Sequence, residues 1–240
     1  MNLIALALAP GIAICLFIFY KDIYNREPKL NLIISFILGC LAILPAIGFE
    51  KAFSYVIDGT ISGVAVFAYF VVGLSEEGSK FLGLRLYSYN QKSFDEPFDG
   101  IVYAVMVSMG FATVENLKYV VFDTQSVHVA YTRMFLSVPA HATFAVVMGY
   151  FVGKAKMDLK NSKALSFIGL CGAIFFHGTF DFFLFVKQYS FWGQDMSEGL
   201  LFSGAIVSFI IALSLSRKLI RRDVSFSKAM FKDKNTTTSI

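Results

Sequence analysis

Seven long apolar runs are the feature of this chain that most constrains its fold. They cover approximately residues 2–20, 31–49, 61–88, 98–120, 133–153, 164–186 and 199–219. Each is close to or above the ~20 residues that an α-helix needs to cross the hydrocarbon core of a bilayer. Only 16% of the residues are charged, whereas a soluble domain carries about 25%. The chain is therefore predicted to be an all-α, polytopic membrane helix bundle with about seven transmembrane helices.

The sequence contains no long polar stretch that would form a second, soluble domain. We predict one integral membrane domain over residues 1–219, followed by a basic cytoplasmic tail over residues 220–240. The first apolar run has no basic residues before it and no cleavage-like segment after it. It is therefore interpreted as an uncleaved first helix and not as a signal peptide.

Lysine and arginine are distributed unevenly between the two sets of connecting segments. If the N-terminus lies outside, the inner segments hold sixteen basic residues and the outer segments hold four. The positive-inside rule then favours an N-out/C-in orientation. The net charge of +4 is explained by this topology and by attraction to membrane lipid, so no nucleic-acid partner is predicted.

Ionisable side chains interrupt four of the apolar runs. They are Glu76, Glu77 and Lys80 in the third run, Glu115 in the fourth, His141 in the fifth, and His177 and Asp181 in the sixth. A single acid at the centre of a bilayer costs roughly 2.5–3.5 kcal/mol on insertion scales, so such residues usually mark a functional site. If the four helices pack together, we expect these groups to converge on one polar pocket.

The depth of each group follows from the ~1.5 Å rise per helical residue. Counted from the ends of their runs, Glu115, His141 and His177 fall at a similar level, in the outer half of a ~30 Å core. Glu76 reaches the same level if its helix enters the hydrocarbon near residues 67–68, which the length of its run allows. The predicted pocket therefore lies in the outer half of the bilayer.

Spacing along the helices suggests two local pairs. Glu76 and Lys80 are four residues apart with the acid first, the better order for a helical ion pair, and the adjacent Glu77 leaves one carboxylate uncompensated. His177 and Asp181 are also one turn apart, which allows a hydrogen bond between them. A lone histidine such as His141 is, in membrane proteins, often only a hydrogen-bond partner between helices.

Four motifs of this chain resemble, in order and separation, those of the PrsW family of intramembrane proteases. They are Glu76-Glu77-x-x-Lys80, Phe111-x-x-x-Glu115-Asn116, His141 followed by an apolar helix, and His177-x-x-x-Asp181, within a similarity from about Leu30 to Leu215. The family is grouped with the CAAX prenyl endopeptidases and the scaffold subunit of gamma-secretase. Some of these relatives have histidine where this chain has Glu115.

The resemblance implies hydrolysis of a peptide bond in or near the membrane by a glutamate-dependent mechanism. In well-known members the substrate is a single-span membrane protein, an anti-sigma factor whose cleavage starts a stress response. The implied location is a bacterial plasma membrane, as a multi-pass protein. No soluble small-molecule cofactor is implied.

We hypothesise that these residues have different roles in peptide hydrolysis. Glu76, or alternatively Glu77, polarises a water that attacks the scissile carbonyl, with help from His141 or Glu115.

The remaining residues support that attack. His177 donates a hydrogen bond to the developing oxyanion, and Asp181 fixes the tautomer of His177. Lys80 holds the carboxylate that does not take part, and Asn116 adds a hydrogen-bond donor beside Glu115.

A metal-assisted variant of this mechanism remains open. Glu115, His141 and His177 would offer one oxygen and two imidazole nitrogens to a catalytic Zn²⁺, with Glu76 or Glu77 as the base. The chain lacks the His-Glu-x-x-His signature, so the sequence leaves bound zinc undecided.

Two other classes of function are alternatives to the protease. Buried acids and histidines also form proton relays in ion-coupled transporters, although the chain shows no inverted repeat with matching broken helices. A non-catalytic membrane scaffold would present the same pocket to a partner without cleaving it.

Overall fold

The computed structural model describes residues 3–123 and 125–237, and the regular structure in these residues is entirely helical. Seven of its helical spans are long and apolar enough to cross a membrane, which confirms the predicted seven-helix bundle. Spans 1 to 7, in chain order, are Leu3–Lys21, Lys29–Val56, Ile61–Asn90, Pro97–Asp123, Val127–Met157, Ser162–Tyr189 and Glu198–Phe231.

Spans 3, 4 and 5 each change from α-helix to π-helix along their length, and span 2 ends in a 3₁₀ turn. Span 2 consists of α Lys29–Phe53 and 3₁₀ Ser54–Val56, and span 3 of α Ile61–Val66, π Phe67–Gly73, α Leu74–Leu86 and 3₁₀ Ser88–Asn90. Span 4 consists of α Pro97–Leu117 and π Lys118–Asp123. Span 5 consists of α Val127–Thr132, π Arg133–Ser137 and α Val138–Met157. π-Helical turns occur frequently at functional sites.

Span 5 begins earlier than the apolar run predicts. The run starts at residue 133, whereas the helix starts at Val127, because the side chain of Ser126 caps it by accepting a hydrogen bond from the Val129 amide. The helix therefore includes Arg133, which the sequence places at the edge of the run.

The last helix, Glu198–Thr237, also exceeds its predicted length, and a short helix, Phe191–Asp195, precedes it. No glycine or proline follows residue 219 to end the last helix, so it continues without a break. The predicted boundary between residues 219 and 220 lies inside this helix, and the division into two domains stays a prediction.

Span 4 is the centre of the bundle and is buried along nearly its whole length. Its contact with span 5 depends on glycine. A Cβ atom on Gly100 would lie 2.3 Å from the Gly149 carbonyl oxygen, and one on Gly149 would lie 2.4 Å from the Gly100 oxygen. Small residues of this kind allow helix backbones to approach closely in a membrane.

The outer spans carry large exposed apolar side chains on the faces that turn away from span 4. Examples from spans 1, 2, 6 and 7 are Phe17, Leu44, Phe167 and Ile211. Such surfaces suit lipid contact, as expected for a bundle in which every span is helical.

The two ends of the bundle differ in charge. We call the end at which spans 1–2, 3–4 and 5–6 are joined the basic end. Its connections contact each other, since Asn25 Nδ2 donates to Asp95 Oδ1 at 2.7 Å, and the hydroxyls of Tyr89 and Ser162 lie 3.0 Å apart. The positive-inside rule predicts that this end faces the cytoplasm, and the orientation itself stays a prediction.

Candidate active site

The acidic motif lies in span 3, directly after the π-helical segment Phe67–Gly73. The ammonium group of Lys80 donates to Glu76 Oε2 at 3.1 Å and to Glu77 Oε1 at 2.8 Å. All three residues are buried, and Glu77 is 0% exposed. The predicted one-turn pair of Glu76 and Lys80 is present, and the same lysine also neutralises Glu77.

Lys80 joins span 3 to spans 4 and 5. Its Nζ lies 3.2 Å from Nδ1 of His141 and 4.1 Å from the centre of the Phe111 ring. An ammonium group has only donors, so Nδ1 of His141 accepts this hydrogen bond. A cation above an aromatic face gains further stabilisation when water is excluded.

His141 has a second partner on its other nitrogen. Nε2 lies 2.9 Å from Glu115 Oε2, so the imidazole donates from Nε2 while it accepts at Nδ1. The same glutamate oxygen accepts from Nη2 of Arg133 at 2.7 Å. Both nitrogens of His141 are therefore engaged, which fixes the ring orientation and indicates the neutral Nε2–H tautomer.

Asn116 connects this arrangement to span 1. Its Oδ1 accepts a hydrogen bond from Arg133 Nε at 2.9 Å, and its Nδ2 donates to the Ala7 carbonyl at 2.9 Å. Arg133 thus binds two consecutive residues of span 4. Asn116 therefore supports Arg133, and its hydrogen bonds are to Arg133 and Ala7 and not to the histidines.

His177 of span 6 lies between carboxylates on both sides of its ring. Nδ1 is 2.8 Å from Glu77 Oε1, and Nε2 is 3.2 Å from Asp181 Oδ2 and 3.8 Å from Glu76 Oε2. The predicted contact with Asp181 is present, and Glu77 adds an orienting partner on the opposite nitrogen. The rings of His141 and His177 lie 5.0 Å apart and nearly perpendicular.

Close backbone packing holds span 6 against span 3 at this level. Gly178, the residue after His177, packs against Tyr69 in the π-helical segment that precedes Glu76. A Cβ atom on Gly178 would lie 2.5 Å from the Tyr69 ring. The Tyr69 hydroxyl also lies 2.8 Å from the Thr179 hydroxyl, which fixes the register of the two helices.

A cavity of about 370 Å³ lies beside these side chains. Its walls include Glu76, Glu115, His141, His177 and Asp181, whereas Glu77 is not among the lining residues. The cavity extends to residues near the end of the bundle opposite the basic end, such as Glu50 and Tyr189. The structure therefore brings all the predicted site residues into one connected group, and five of them face the same space.

Two functional candidates were missed by the sequence analysis. The sequence placed Arg133 among the charges of an outer connecting segment, because it stands at the edge of its apolar run. In the structure Arg133 pairs with Glu115 inside the bundle. Glu50, one residue after the second run, lines the cavity and accepts a hydrogen bond from Ser75 at 3.4 Å. Only its position immediately after the predicted second run could have drawn attention to it.

The donor set of this site fits a divalent metal ion. One ligand atom from each of Glu76, Glu77, His141 and His177 lies within 4.8 Å of the others, and carboxylates with imidazoles are common zinc ligands. Glu115, which the sequence suggested as a ligand, is not one of these four and is paired with Arg133. Lys80 contacts three of the four side chains, so its ammonium group would compete with a metal ion for them.

Comparison with known proteins identifies the family. The family model described as "PrsW family intramembrane metalloprotease" matches residues 27–215. The chain is 34% identical to Protease PrsW of Geobacillus kaustophilus over 195 residues, which cover 81% of this chain and 84% of the relative. It is 36% identical to Protease PrsW of Bacillus subtilis over 186 residues, covering 76% and 82%.

A third relative extends the comparison, and the solved structures add none. Protease PrsW of Clostridioides difficile is 34% identical over 193 residues, which cover 78% of this chain and 81% of the relative. No solved structure matches the chain significantly. With its seven spans and its buried group of carboxylates and imidazoles, the chain belongs to the PrsW family of intramembrane proteases.

Proposed function

We propose that the protein cleaves a peptide bond of a membrane-anchored protein at the 370 Å³ cavity, with Glu76 as the general base. The observation that carries this proposal is the different placement of the two adjacent glutamates. Glu76 lines the cavity, where a water and a scissile carbonyl would lie. Glu77 lies behind it, with Oε1 bound to both Lys80 and His177.

In this mechanism Glu76 takes a proton from the attacking water, and the resulting hydroxide adds to the scissile carbonyl carbon. The proton then passes to the amine nitrogen as the C–N bond breaks. General acid–base catalysis of this kind contributes typically 10²–10⁴-fold to the rate.

His177 is placed to stabilise the oxyanion. Its ring lines the cavity, and its Nε2 lies between Asp181 and Glu76, 3.2 and 3.8 Å from their oxygens. Glu77 holds Nδ1 on the far side, and Asp181 contacts Nε2 at the cavity, so the oxyanion would share the Nε2 proton with Asp181. A single oxyanion donor is typically worth about 3–4 kcal/mol.

His141 and Glu115 then have positioning roles. Both nitrogens of His141 are engaged, by Lys80 and by Glu115, and Glu115 is neutralised by Arg133. This series of hydrogen bonds fixes Lys80, and Lys80 in turn holds Glu76 and Glu77 in place. Asn116 supports Arg133 from span 1.

The description of the family as metalloproteases is compatible with this donor set. Glu76, Glu77, His141 and His177 would hold the ion, which when bound would polarise the scissile carbonyl and activate a water. The elemental composition of the purified protein tests this directly, together with the effect of a chelator on cleavage. Zinc in one-to-one ratio with the chain, lost in His177→Ala, would support a metal-assisted reaction.

The proposed substrate is a single-span membrane protein cleaved near the outer face, in a bacterial plasma membrane. The cavity extends toward the end opposite the basic end, which the charge distribution predicts to lie outside. An anti-sigma factor is the substrate class that the family resemblance implies.

Reconstitution tests the proposed function. Wild type, Glu76→Gln and the matched control Glu198→Gln are incorporated in liposomes with single-span substrates, including anti-sigma factors. Glu198 is exposed and lies outside the cavity, so its variant is expected to cleave as wild type does. Loss of cleavage in Glu76→Gln alone supports the proposal. Folded wild type that cleaves no substrate of the panel would favour a carrier or a scaffold, and substrate or proton flux would separate those two.

A further inference from the structure

A second group of buried acids lies at the basic end of the bundle, away from the cavity. Asp22 follows span 1, and Glu96 and Asp99 stand at the start of span 4. One carboxylate oxygen from each lies within 4.8 Å of the others. The exposed fractions of the three residues are only 1%, 0% and 0%. We call these three residues the acidic cluster.

Two members of the acidic cluster use one oxygen to hold the backbone and leave the other without a partner. Asp22 Oδ2 accepts from the Glu27 amide at 2.9 Å, and Asp99 Oδ2 accepts from the amides of Asp95 and Glu96 at 2.9 and 2.8 Å. Oδ1 of Asp22 and Oδ1 of Asp99 are buried and accept no hydrogen bond from any described residue. Buried polar atoms without partners are rare, and a bound water or ion is one of the explanations for them.

The surroundings do not neutralise these charges. Among the described residues, no lysine or arginine nitrogen forms an ion pair with the acidic cluster, although Arg26 attracts Asp22 from a greater distance. Uncompensated carboxylates away from water are costly, so such a group requires a proton or a cation.

We propose that Asp22, Glu96 and Asp99 bind one hard divalent cation of the Mg²⁺ type. The ligand set contains only carboxylate oxygens, which magnesium, manganese and calcium prefer, and no imidazole or thiol. With metal–oxygen distances of about 2.1–2.4 Å, oxygens on opposite sides of such an ion are roughly 4–5 Å apart, as the spacing here allows.

The cation would connect two segments that are distant in sequence. Asp22 belongs to the link between spans 1 and 2, and Glu96 and Asp99 form the N-terminal turn of span 4. The other half of span 4 carries Glu115 of the candidate active site. The ion therefore has a structural role, because it fixes span 4, at the centre of the bundle, to span 1.

Manganese provides a direct probe of this site. The full-length protein in detergent is stripped with EDTA, and Mn²⁺ is titrated while the electron paramagnetic resonance signal of the free ion is followed. Wild type is expected to bind one more Mn²⁺ per chain than Glu96→Gln or Asp22→Asn. The matched control Asp95→Asn removes an exposed acid next to Glu96 that is outside the acidic cluster, and it should bind Mn²⁺ as wild type does.

A second comparison separates this site from the candidate active site. Glu76→Gln changes the other group of potential ligands and should keep the Mn²⁺ that is lost in Glu96→Gln. The proposal is overturned if Glu96→Gln binds as much Mn²⁺ as wild type, or if the Glu76→Gln protein binds none. The latter outcome does not depend on whether the variants of the acidic cluster fold.

Thermal unfolding gives an independent readout. Mg²⁺ should raise the unfolding midpoint of wild type and Asp95→Asn but not that of Glu96→Gln. In EDTA, Glu96→Gln should be at least as stable as wild type, because a buried charge without a counterion has been removed. An equal rise in Glu96→Gln and wild type would overturn the proposal.

Discussion

Oε1 of Glu77 lies 2.8 Å from Nδ1 of His177, and this contact joins span 3 to span 6 at the level of the cavity. The same oxygen accepts a hydrogen bond from Lys80. Glu77 therefore contributes both to the ion pair with Lys80 and to the orientation of His177, whereas Glu76 faces the cavity. The two adjacent glutamates are chemically identical but should respond differently to the same substitution.

Glu76→Gln should reduce cleavage by about 10²-fold or more with little loss of stability, because Lys80 keeps its contact with Glu77. Glu77→Gln should also lower the free energy of unfolding by about 3 kcal/mol, since the one carboxylate oxygen that binds both Lys80 and His177 loses its charge. Cleavage rates in liposomes and thermal unfolding in detergent measure the two effects. A Glu77→Gln protein with wild-type stability would contradict this assignment.

Lys80→Met should destabilise the protein by about 3 kcal/mol or more, because Glu76 and Glu77 would remain buried without a counterion. The double variant Lys80→Met/Glu77→Gln should recover part of that loss, since one of the uncompensated carboxylates is removed with the cation. A double-mutant cycle on unfolding free energies measures the coupling between the two side chains. Purely additive effects would show that the ion pair is energetically unimportant.

Arg133→Gln should lower cleavage by about 10-fold, because the resulting loss of its contacts to Glu115 and Asn116 frees His141 and Lys80 to move. The matched control is Lys118→Gln, which breaks the ion pair between Lys118 and Asp123. Both of these side chains are about two-fifths exposed. Exposed pairs contribute only about 0–1 kcal/mol, so the control should cleave and unfold like wild type. Equal effects of the two substitutions would reject the role of Arg133.

Gly178→Ala should impair both folding and cleavage, because the new Cβ atom would lie 2.5 Å from the ring of Tyr69 and 2.9 Å from its Cα. Gly78→Ala is the matched control, since no atom lies within 4 Å of a Cβ placed there. Alanine in a helix is favoured over glycine by about 0.5–1 kcal/mol, so Gly78→Ala should be active and slightly more stable. Thermal unfolding and cleavage assays on both variants test the contrast.

The fold was predictable because a helix that crosses a bilayer needs about 20 mostly apolar residues. The seven apolar runs therefore correspond to seven helical spans. The pairs one turn apart, Glu76 with Lys80 and His177 with Asp181, were also predictable from helical geometry. Contacts between spans were not. Whether His177 meets Glu76 or Glu77 depends on how each helix is rotated about its axis, and that rotation is set by packing.

Arg133 shows a second limit of the sequence analysis. Hydropathy assigned it to a loop, because the helix that contains it starts at Val127 in a stretch of mixed polarity. The capping by Ser126 that starts the helix there is a local signal, yet nothing in the sequence connects it with Glu115, 18 positions earlier. Such partners are recognised only when the spans are assembled.

The π-helical segments Phe67–Gly73 and Arg133–Ser137 precede Glu76 and His141 in spans 3 and 5. A π-helical turn accommodates one extra residue, and one residue corresponds to a rotation of about 100° around an α-helix. Each π-helical segment therefore rotates the residues that follow it around the helix axis, relative to the residues that precede it. Glu76 and His141 therefore point in directions that differ from those in an uninterrupted α-helix. Removing a single residue from such a segment would leave the length and hydropathy of the span nearly unchanged. It would nevertheless turn Glu76 or His141 away from the cavity.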